Sequence, residues 1–173
     1  MVLPKKTARK PTTTKLPMRP QEATALLRAD HKVVSGLFAE YEDARSIAKK
    51  RVIVSRICTE LSVHAQVEDE IFYPAVKAAL KDKELIPEAI VEHATLKDLI
   101  AQVEDKEPDG EMFDAKIKVL SEYVKHHVKE EHEEMFPKAR ASKLDMAALG
   151  AQLAARKAEL LAKRASTSIG DRQ

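Results

Sequence analysis

The stretch HAQVEDEIFYP, residues 64–74, places His64 and Glu68 in a segment that otherwise has the periodicity of an amphipathic helix. Residues four apart on a helix lie one turn apart on the same face. Both polar side chains therefore share the row of Ile57, Leu61 and Ile71, where a helix normally presents apolar side chains to a core. Burying such groups without compensation is costly, so this row needs a partner that offsets the cost.

A second copy of this stretch, HVKEEHEEMFP, occupies residues 127–137 and aligns with the first without a gap. The alignment pairs identical chemistry at three positions: His64 with His127, Glu68 with Glu131, and Pro74 with Pro137. Upstream, Asp30-His31 pairs with Glu92-His93, and similar apolar residues follow each pair. The repeat predicts two similar helical hairpins, each with one histidine on its first helix and a His-x-x-x-Glu on its second.

Apolar periodicity predicts four long helices. The first begins near residues 20–23 and ends near 44, the second runs from about 49 into the seventies, and the third begins around 87 with the row Ile90, His93 and Leu96. The segment EDKEPDGE, 104–111, precedes the fourth. Pro74 and Pro137 are expected to end or kink the second and fourth helices.

A fifth helix is predicted from about Ser142 to Lys163, because Ser142 and Asp145 are spaced as a capping box before an Ala-rich body with leucines. Few β-forming residues and only 4 glycines favour an all-α fold. The simplest packing is an up-down-up-down four-helix bundle over 21–140, with an additional C-terminal helix and tail over 141–173. Whether that helix crosses the bundle or associates with a partner, and the oligomeric state, are open.

Charge is distributed unevenly along the chain. Residues 21–137 contain 16 lysines and arginines against 25 aspartates and glutamates, a net charge of −9, whereas residues 1–20 contain six basic residues and no acid. This basic segment is predicted to be a flexible arm, and the alternative is that it docks on nucleic acid or a membrane, because basic clusters attract polyanions. No specific nucleic acid is predicted as a partner. Cys58 is the only cysteine, and no apolar run has the length of a signal peptide or a membrane span. A cytoplasmic protein without a membrane partner is expected.

The predicted metal ligands are the polar residues that occupy core rows and also obey the repeat: His31, His64, Glu68, His93, His127 and Glu131. Imidazole nitrogens and carboxylate oxygens suit first-row transition metals, and carboxylates that bridge suit a pair of them. Ligand type alone leaves manganese or zinc open. The arrangement gives each metal two histidines, with both glutamates as bridges.

Three neighbouring residues fail the same tests. His126 and His132 lie about 100° around the helix from core-row neighbours, and the repeat pairs them with Val63 and Asp69. We therefore expect both histidines to face solvent. Glu130 is excluded likewise, because its repeat partner is Val67.

The segments DHKVVSGLF, HAQVEDEIFYP, EHATLKDLI and HHVKEEHEEMFP resemble the hemerythrin-like, or HHE cation-binding, family over roughly residues 22–140. The resemblance implies two iron ions in an oxo- or hydroxo-bridged non-haem centre. His31 and His64 would ligate one iron, His93 and His127 the other, and Glu68 and Glu131 would bridge. Oxygen-carrying hemerythrins have a further histidine where this chain has Lys97, and an aspartate where it has Glu131.

With one fewer imidazole, neither iron is saturated by the predicted ligands. The leading hypothesis is a di-iron protein that binds dioxygen, peroxide or nitric oxide as a carrier, sensor or scavenger rather than as an enzyme. One alternative is a peroxidase-like or nitric-oxide-consuming di-iron enzyme. Another is an iron-responsive regulatory or iron-storage module, because metal affinity can contribute directly to folding.

Overall fold

The computed structural model describes residues 21–81 and 84–170, and every regular element in those ranges is helical. The seven α-helices are α1 Ala23–Asp43, α2 Ile47–Val67, α3 Tyr73–Leu80, α4 Leu85–Ala101, α5 Glu111–Glu130, α6 Phe136–Ala141 and α7 Met146–Gly170. Two π-helical segments, Glu68–Phe72 and Glu131–Met135, connect α2 to α3 and α5 to α6 without a break. The predicted basic arm lies outside the described residues. Within them, no helix combines the length and hydrophobicity needed to cross a bilayer.

Each repeat proline lies inside a continuous helix. In the first copy, the N–H of Tyr73 donates to the carbonyl oxygen of Glu68, five residues back, as in a π turn. The π turn already interrupts the α-helical backbone hydrogen bonds at this point, so the helix continues although Pro74 has no N–H to donate. Of the two expected effects of the proline, an end of the helix is not observed, because helical structure continues to Leu80. The second copy has the same arrangement.

Two apolar clusters form the core, and the four predicted ligand histidines lie between them. One cluster contains the buried residues of the C-terminal half of α1 and of α2 up to Leu61, together with those of α4 from Leu96 onward and of α5 up to Val124. The other contains the buried residues at the start of α1 and in 63–76, Ile86 and Ala89 of α4, and the buried residues of α6 and α7. Helices α1 and α4 run from the second cluster to the first, whereas α2 and α5 run the other way. This alternation is the predicted up-down-up-down bundle.

The C-terminal helix α7 packs against α1 and α2 of its own chain. Leu149, Leu153 and Leu160 are buried in the second apolar cluster. Gly150 allows the close approach, because a Cβ at this position would collide with the backbone of residues 21–23. The predicted additional C-terminal helix is therefore confirmed, and its place across the bundle is settled for the described residues.

Two local predictions are wrong. Helix α7 begins at Met146 and not at Ser142, because the Asp145 side chain caps its first turn by accepting hydrogen bonds from the N–H groups of residues 147 and 148. Ile90 was expected in the core but is 46% exposed, because the face of α4 that is buried carries Ala89 and His93.

Candidate metal centre

All six predicted ligands meet in one buried layer of the bundle. Helices α1, α2, α4 and α5 each supply one histidine, and each π-helical segment begins with one glutamate: His31, His64, His93, His127, Glu68 and Glu131. None is more than 8% exposed, and the two glutamates are at most 1% exposed. That these six side chains ligate a metal stays a prediction.

The first group of donor atoms contains His31, His64, Glu68 and Glu131. The Nε2 atoms of His31 and His64 lie 2.8 Å apart. Glu131 Oε2 is 3.2 Å from His31 Nε2, and Glu68 Oε2 is 3.1 Å from His64 Nε2. Donors that share one cation at about 2 Å are separated by about 3 Å, so these spacings suit a single metal ion.

The second group contains His93, His127 and the same Glu68. The Nε2 atoms of the two histidines are 3.2 Å apart, and Glu68 Oε2 is 3.5 Å from His93 Nε2. Glu131 Oε2 also approaches His127 Nε2, at 3.8 Å. Each glutamate therefore touches one histidine of each group, which is the placement required of a bridging carboxylate.

Three carboxylate oxygens of this layer accept no hydrogen bond from the described residues. Both oxygens of Glu68 and Oε2 of Glu131 are buried without a hydrogen bond of good geometry to any described residue. Their contacts with the imidazoles are short in distance but poorly directed as hydrogen bonds. Buried carboxylate oxygens in native proteins are normally paired or bound to metal. The residues present therefore fit a cation.

The outer nitrogen, Nδ1, of three of these histidines faces a carboxylate. Asp69 Oδ1 is 2.8 Å from His93, Glu92 Oε2 is 2.6 Å from His127, and Asp30 Oδ2 is 3.4 Å from His64. A carboxylate on Nδ1 fixes the tautomer that leaves Nε2 free for a metal. The repeat pairs Asp30 with Glu92, but it does not predict these contacts, because each acid meets a histidine on a different helix.

Electrostatics around the centre favours protonated histidines in the metal-free protein. Burial opposes the charged form of His64, but Glu68 and Asp30 outweigh it and raise its pKa to about 10. Asp69 and Glu68 likewise overcome burial at His93 and raise its pKa to about 9. Against its own burial, Glu68 has a pKa held well below the ordinary value by these two histidines. A metal bound here replaces protons on the same atoms.

The prediction that His132 faces solvent is wrong. It is half-buried, and its Nε2 lies 2.9 Å from Nδ1 of His31. Burial together with the neighbouring His31 and Arg28 lowers the pKa of His132 to about 4, so it is neutral at ordinary pH. The repeat pairs His132 with Asp69. Asp69 contacts Nδ1 of His93 through a carboxylate, and His132 contacts Nδ1 of His31 through an imidazole. His126, by contrast, has a 62% exposed side chain.

Tyr73 is a residue of the centre that the sequence analysis missed. Its ring is 1% exposed, and its hydroxyl donates to Glu131 Oε1 at 3.0 Å. The hydroxyl oxygen of Tyr73 lies 3.2 Å from His93 Nε2 and 3.4 Å from His127 Nε2. Burial and the nearby carboxylates hold the tyrosine pKa well above its ordinary value, so the group stays a phenol. Its repeat partner, Phe136, has no hydroxyl, which makes the two halves unequal.

Known proteins are similar to this chain in structure or in sequence. A crystal structure of a hemerythrin HHE cation-binding domain-containing protein from Mycobacterium kansasii superposes with a TM-score of 0.70 at 25% identity, covering 81% of this chain and 87% of that one. A Nostoc protein described as a DNA nickase is 27% identical over 115 residues, 66% of this chain. The chain spans about a third of the length of that curated relative, 32%.

The structure is a helical bundle with a buried layer of histidines and glutamates that fits a cation. The family model for the hemerythrin HHE cation-binding domain matches residues 22–139. The chain belongs to this family.

Proposed function

We propose that this protein is a non-haem di-iron protein that binds dioxygen or a related small molecule, such as peroxide or nitric oxide. The observation that supports the proposal is the pair of donor groups joined by Glu68 and Glu131, whose oxygens lie between the histidines of both groups. Nitrogen and oxygen donors of this kind suit iron among the first-row metals. We also propose a cytoplasmic location.

In this proposal His31 and His64 hold one iron, His93 and His127 hold the other, and Glu68 and Glu131 bridge. An oxo- or hydroxo-bridged iron pair supplies binding and redox chemistry toward dioxygen, peroxide or nitric oxide. The protein supplies two histidines and two shared carboxylates per metal, which leaves coordination positions for an exogenous ligand. Lys97, at the place of a further histidine in oxygen carriers, instead pairs with Asp69 at 2.7 Å.

The surrounding residues hold the ligands in position and exclude water. Asp69 and Glu92 fix the ring orientations of His93 and His127 through Nδ1. Apolar clusters lie on both sides of the layer, so charge inside it is weakly screened. The Tyr73 hydroxyl holds a proton at Glu131 Oε1.

Tyr73 favours a second candidate, a peroxidase-like or nitric-oxide-consuming enzyme at the same centre. A buried phenol that donates to Glu131, a carboxylate shared by both donor groups, keeps a proton inside the proposed centre, which a simple carrier does not need. A role on DNA is not proposed for this chain. This chain spans only 32% of the length of the Nostoc relative described as a DNA nickase.

Metal content and spectroscopy test the proposal. Protein from iron-supplied cells should contain about two irons per chain and have an oxo-to-iron charge-transfer band in the near ultraviolet. Anaerobic reduction followed by dioxygen, peroxide and nitric oxide in turn would separate stable binding from turnover. A chain that takes up no iron, or iron without any response to these molecules, would contradict the proposal. Sustained peroxide or nitric oxide consumption would favour the enzyme.

A further inference from the structure

The four histidines of the metal layer have unequal partners on their outer nitrogens. Nδ1 faces a carboxylate oxygen in His93, His127 and His64, at 2.8, 2.6 and 3.4 Å. Nδ1 of His31 instead faces another imidazole, with Nε2 of His132 at 2.9 Å. Among the described residues, no carboxylate contacts this Nδ1 atom. An imidazole is either neutral or a cation, so it cannot supply the negative charge that the other three histidines receive.

This difference comes from one position of the internal repeat. The ungapped alignment pairs His132 with Asp69, and the preceding helices pair His31 with His93. Both His132 and Asp69 are the second residue of a π-helical segment. From that position Asp69 Oδ1 reaches Nδ1 of His93 at 2.8 Å. Equivalent backbone therefore holds a carboxylate against one histidine of the layer and a ring against its counterpart.

The ring of His132 is held in this contact by its neighbours. Its centroid is 5.0 Å from that of His31 and 5.5 Å from that of Phe136. Arg28 donates to the backbone carbonyl oxygen of His132 at 3.3 Å. A cation therefore lies beside this position, as Lys97 lies 2.7 Å from the corresponding carboxylate in the other half. An aspartate at position 132 would thus have the same kinds of neighbour as Asp69.

The partner on Nδ1 controls how strongly Nε2 binds a metal. Any acceptor for the Nδ1 proton fixes the tautomer that leaves the Nε2 lone pair free, and a carboxylate acceptor also makes the imidazole more basic. His132 can fix the tautomer of His31 but adds no negative charge. We therefore expect His31 to be a weaker donor to a cation than His93.

We propose that His132 is a positioning residue that acts through His31. It lowers the affinity of the metal position formed by His31 and His64 below the value that a carboxylate would give. An ion at this position exchanges more readily, and an iron there is reduced more readily, because less basic donors favour the lower charge. The inference rests on the proposed function, because it assumes that these histidines are metal ligands.

Matched substitutions at positions 132 and 69 test this role with zinc, which binds nitrogen and oxygen ligands and has no redox chemistry. His132→Asp should bind zinc at the position of His31 and His64 at least tenfold more tightly than wild type or His132→Asn. Asp69→Asn should weaken the other position about 10–100-fold, the usual loss when such a partner is removed. Tyr73 is unchanged in all these proteins, so its contacts do not contribute to the differences.

Two-bond ¹H–¹⁵N NMR spectra of the histidine rings follow the titration, because they report the tautomer and the metal occupancy of each ring separately. The whole chain is used, first without metal and then with increasing zinc. The wild-type protein also gives a measurement that needs no variant. With zinc bound, Nδ1–H of His31 should donate to Nε2 of His132, and a scalar coupling between the two nitrogens reports such a hydrogen bond.

The outcomes separate this inference from the proposed function. Equal zinc affinity of His132→Asp and His132→Asn at His31, or no coupling between His31 and His132, would overturn the role of His132 while leaving the metal centre intact. Zinc that binds to none of the four histidines of the layer would overturn the predicted ligands, and with them the proposed function.

Discussion

Raising the pH is expected to destabilise the metal-free protein. In the folded state Glu68, Asp30 and Asp69 raise the pKa of His64 to about 10 and that of His93 to about 9. In the unfolded chain a histidine has a pKa of about 6.5. The stability that these histidines contribute is therefore complete below about pH 6.5 and is lost as the pH rises through 9 to 10.

The size of the effect follows from the number of protons. Each proton that the folded state keeps and the unfolded state releases lowers the unfolding free energy by about 1.4 kcal/mol per pH unit. Two histidines give a slope of at most about 3 kcal/mol per pH unit, which amounts to a few kcal/mol, on the order of 3, between pH 7 and 8.5. That is a large part of the roughly 5–15 kcal/mol that stabilises an ordinary domain. Carboxylates with lowered pKa values, such as Glu68, have the opposite sign and lose their contribution only in acid.

Urea unfolding of the metal-free protein at four pH values from 7 to 8.5 measures this slope. The Glu68→Gln variant is the control, because it removes the carboxylate that helps both histidines to keep their protons, and its slope should be smaller. In the metal-loaded protein the metal replaces those protons, so stability should not fall with pH. A flat response of the metal-free protein, or equal slopes with and without metal, would refute the reasoning.

Three substitutions, two of them paired with a control variant, test other parts of the structure. Tyr73→Phe removes the buried hydroxyl that donates to a carboxylate, so the metal-free protein should lose about 1.5–3 kcal/mol in chemical unfolding, and unchanged stability would mean that this hydrogen bond is absent. His127→Ala should lower the metal content measured by elemental analysis whereas His126→Ala should not, and the reverse order would mean that the register of α5 is wrong. Gly150→Ala should lower the unfolding free energy by about 1–3 kcal/mol and make α7 more sensitive to protease, because its Cβ collides with backbone. Gly36→Ala, in open space on α1, should instead stabilise by about 0.5–1 kcal/mol, and equal effects of the two changes would argue against docked α7.

The internal repeat was sufficient to predict much of the bundle. A helix has one core-facing row, so a polar residue that lies on this row in both copies must be buried in both. His64 and Glu68 satisfy this condition together with His127 and Glu131, and the structure brings them into one layer. His126, adjacent in sequence, fails the condition and lies on the surface.

Residues whose position depends on the π turns escaped this reasoning. Regular α-helical geometry advances about 100° per residue and turns Tyr73 away from the face of Glu68. A π turn winds less per residue and brings Tyr73 back toward that face, where its hydroxyl meets Glu131. The proline that follows each turn is the available signal, but a proline in a helical pattern predicts an end or a kink and does not specify a π turn.

The apolar pattern of a single helix also does not predict which residues meet between helices. His132 lies in the second π-helical segment, off the core row that continues from α5, yet its Nε2 is 2.9 Å from Nδ1 of His31 on α1. The docking of α7 depends on the absence of a Cβ at Gly150, and an Ala-rich helix with leucines suits a partner surface as well as its own bundle.

Anomalous diffraction at the iron absorption edge tests the central claim most directly. Crystals of iron-loaded protein should contain two anomalous peaks about 3.5–4 Å apart, one between the Nε2 atoms of His31 and His64 and one between those of His93 and His127, with Glu68 and Glu131 spanning both. A single peak, or peaks only at the exposed His126, would contradict a di-iron centre formed by the repeated ligands.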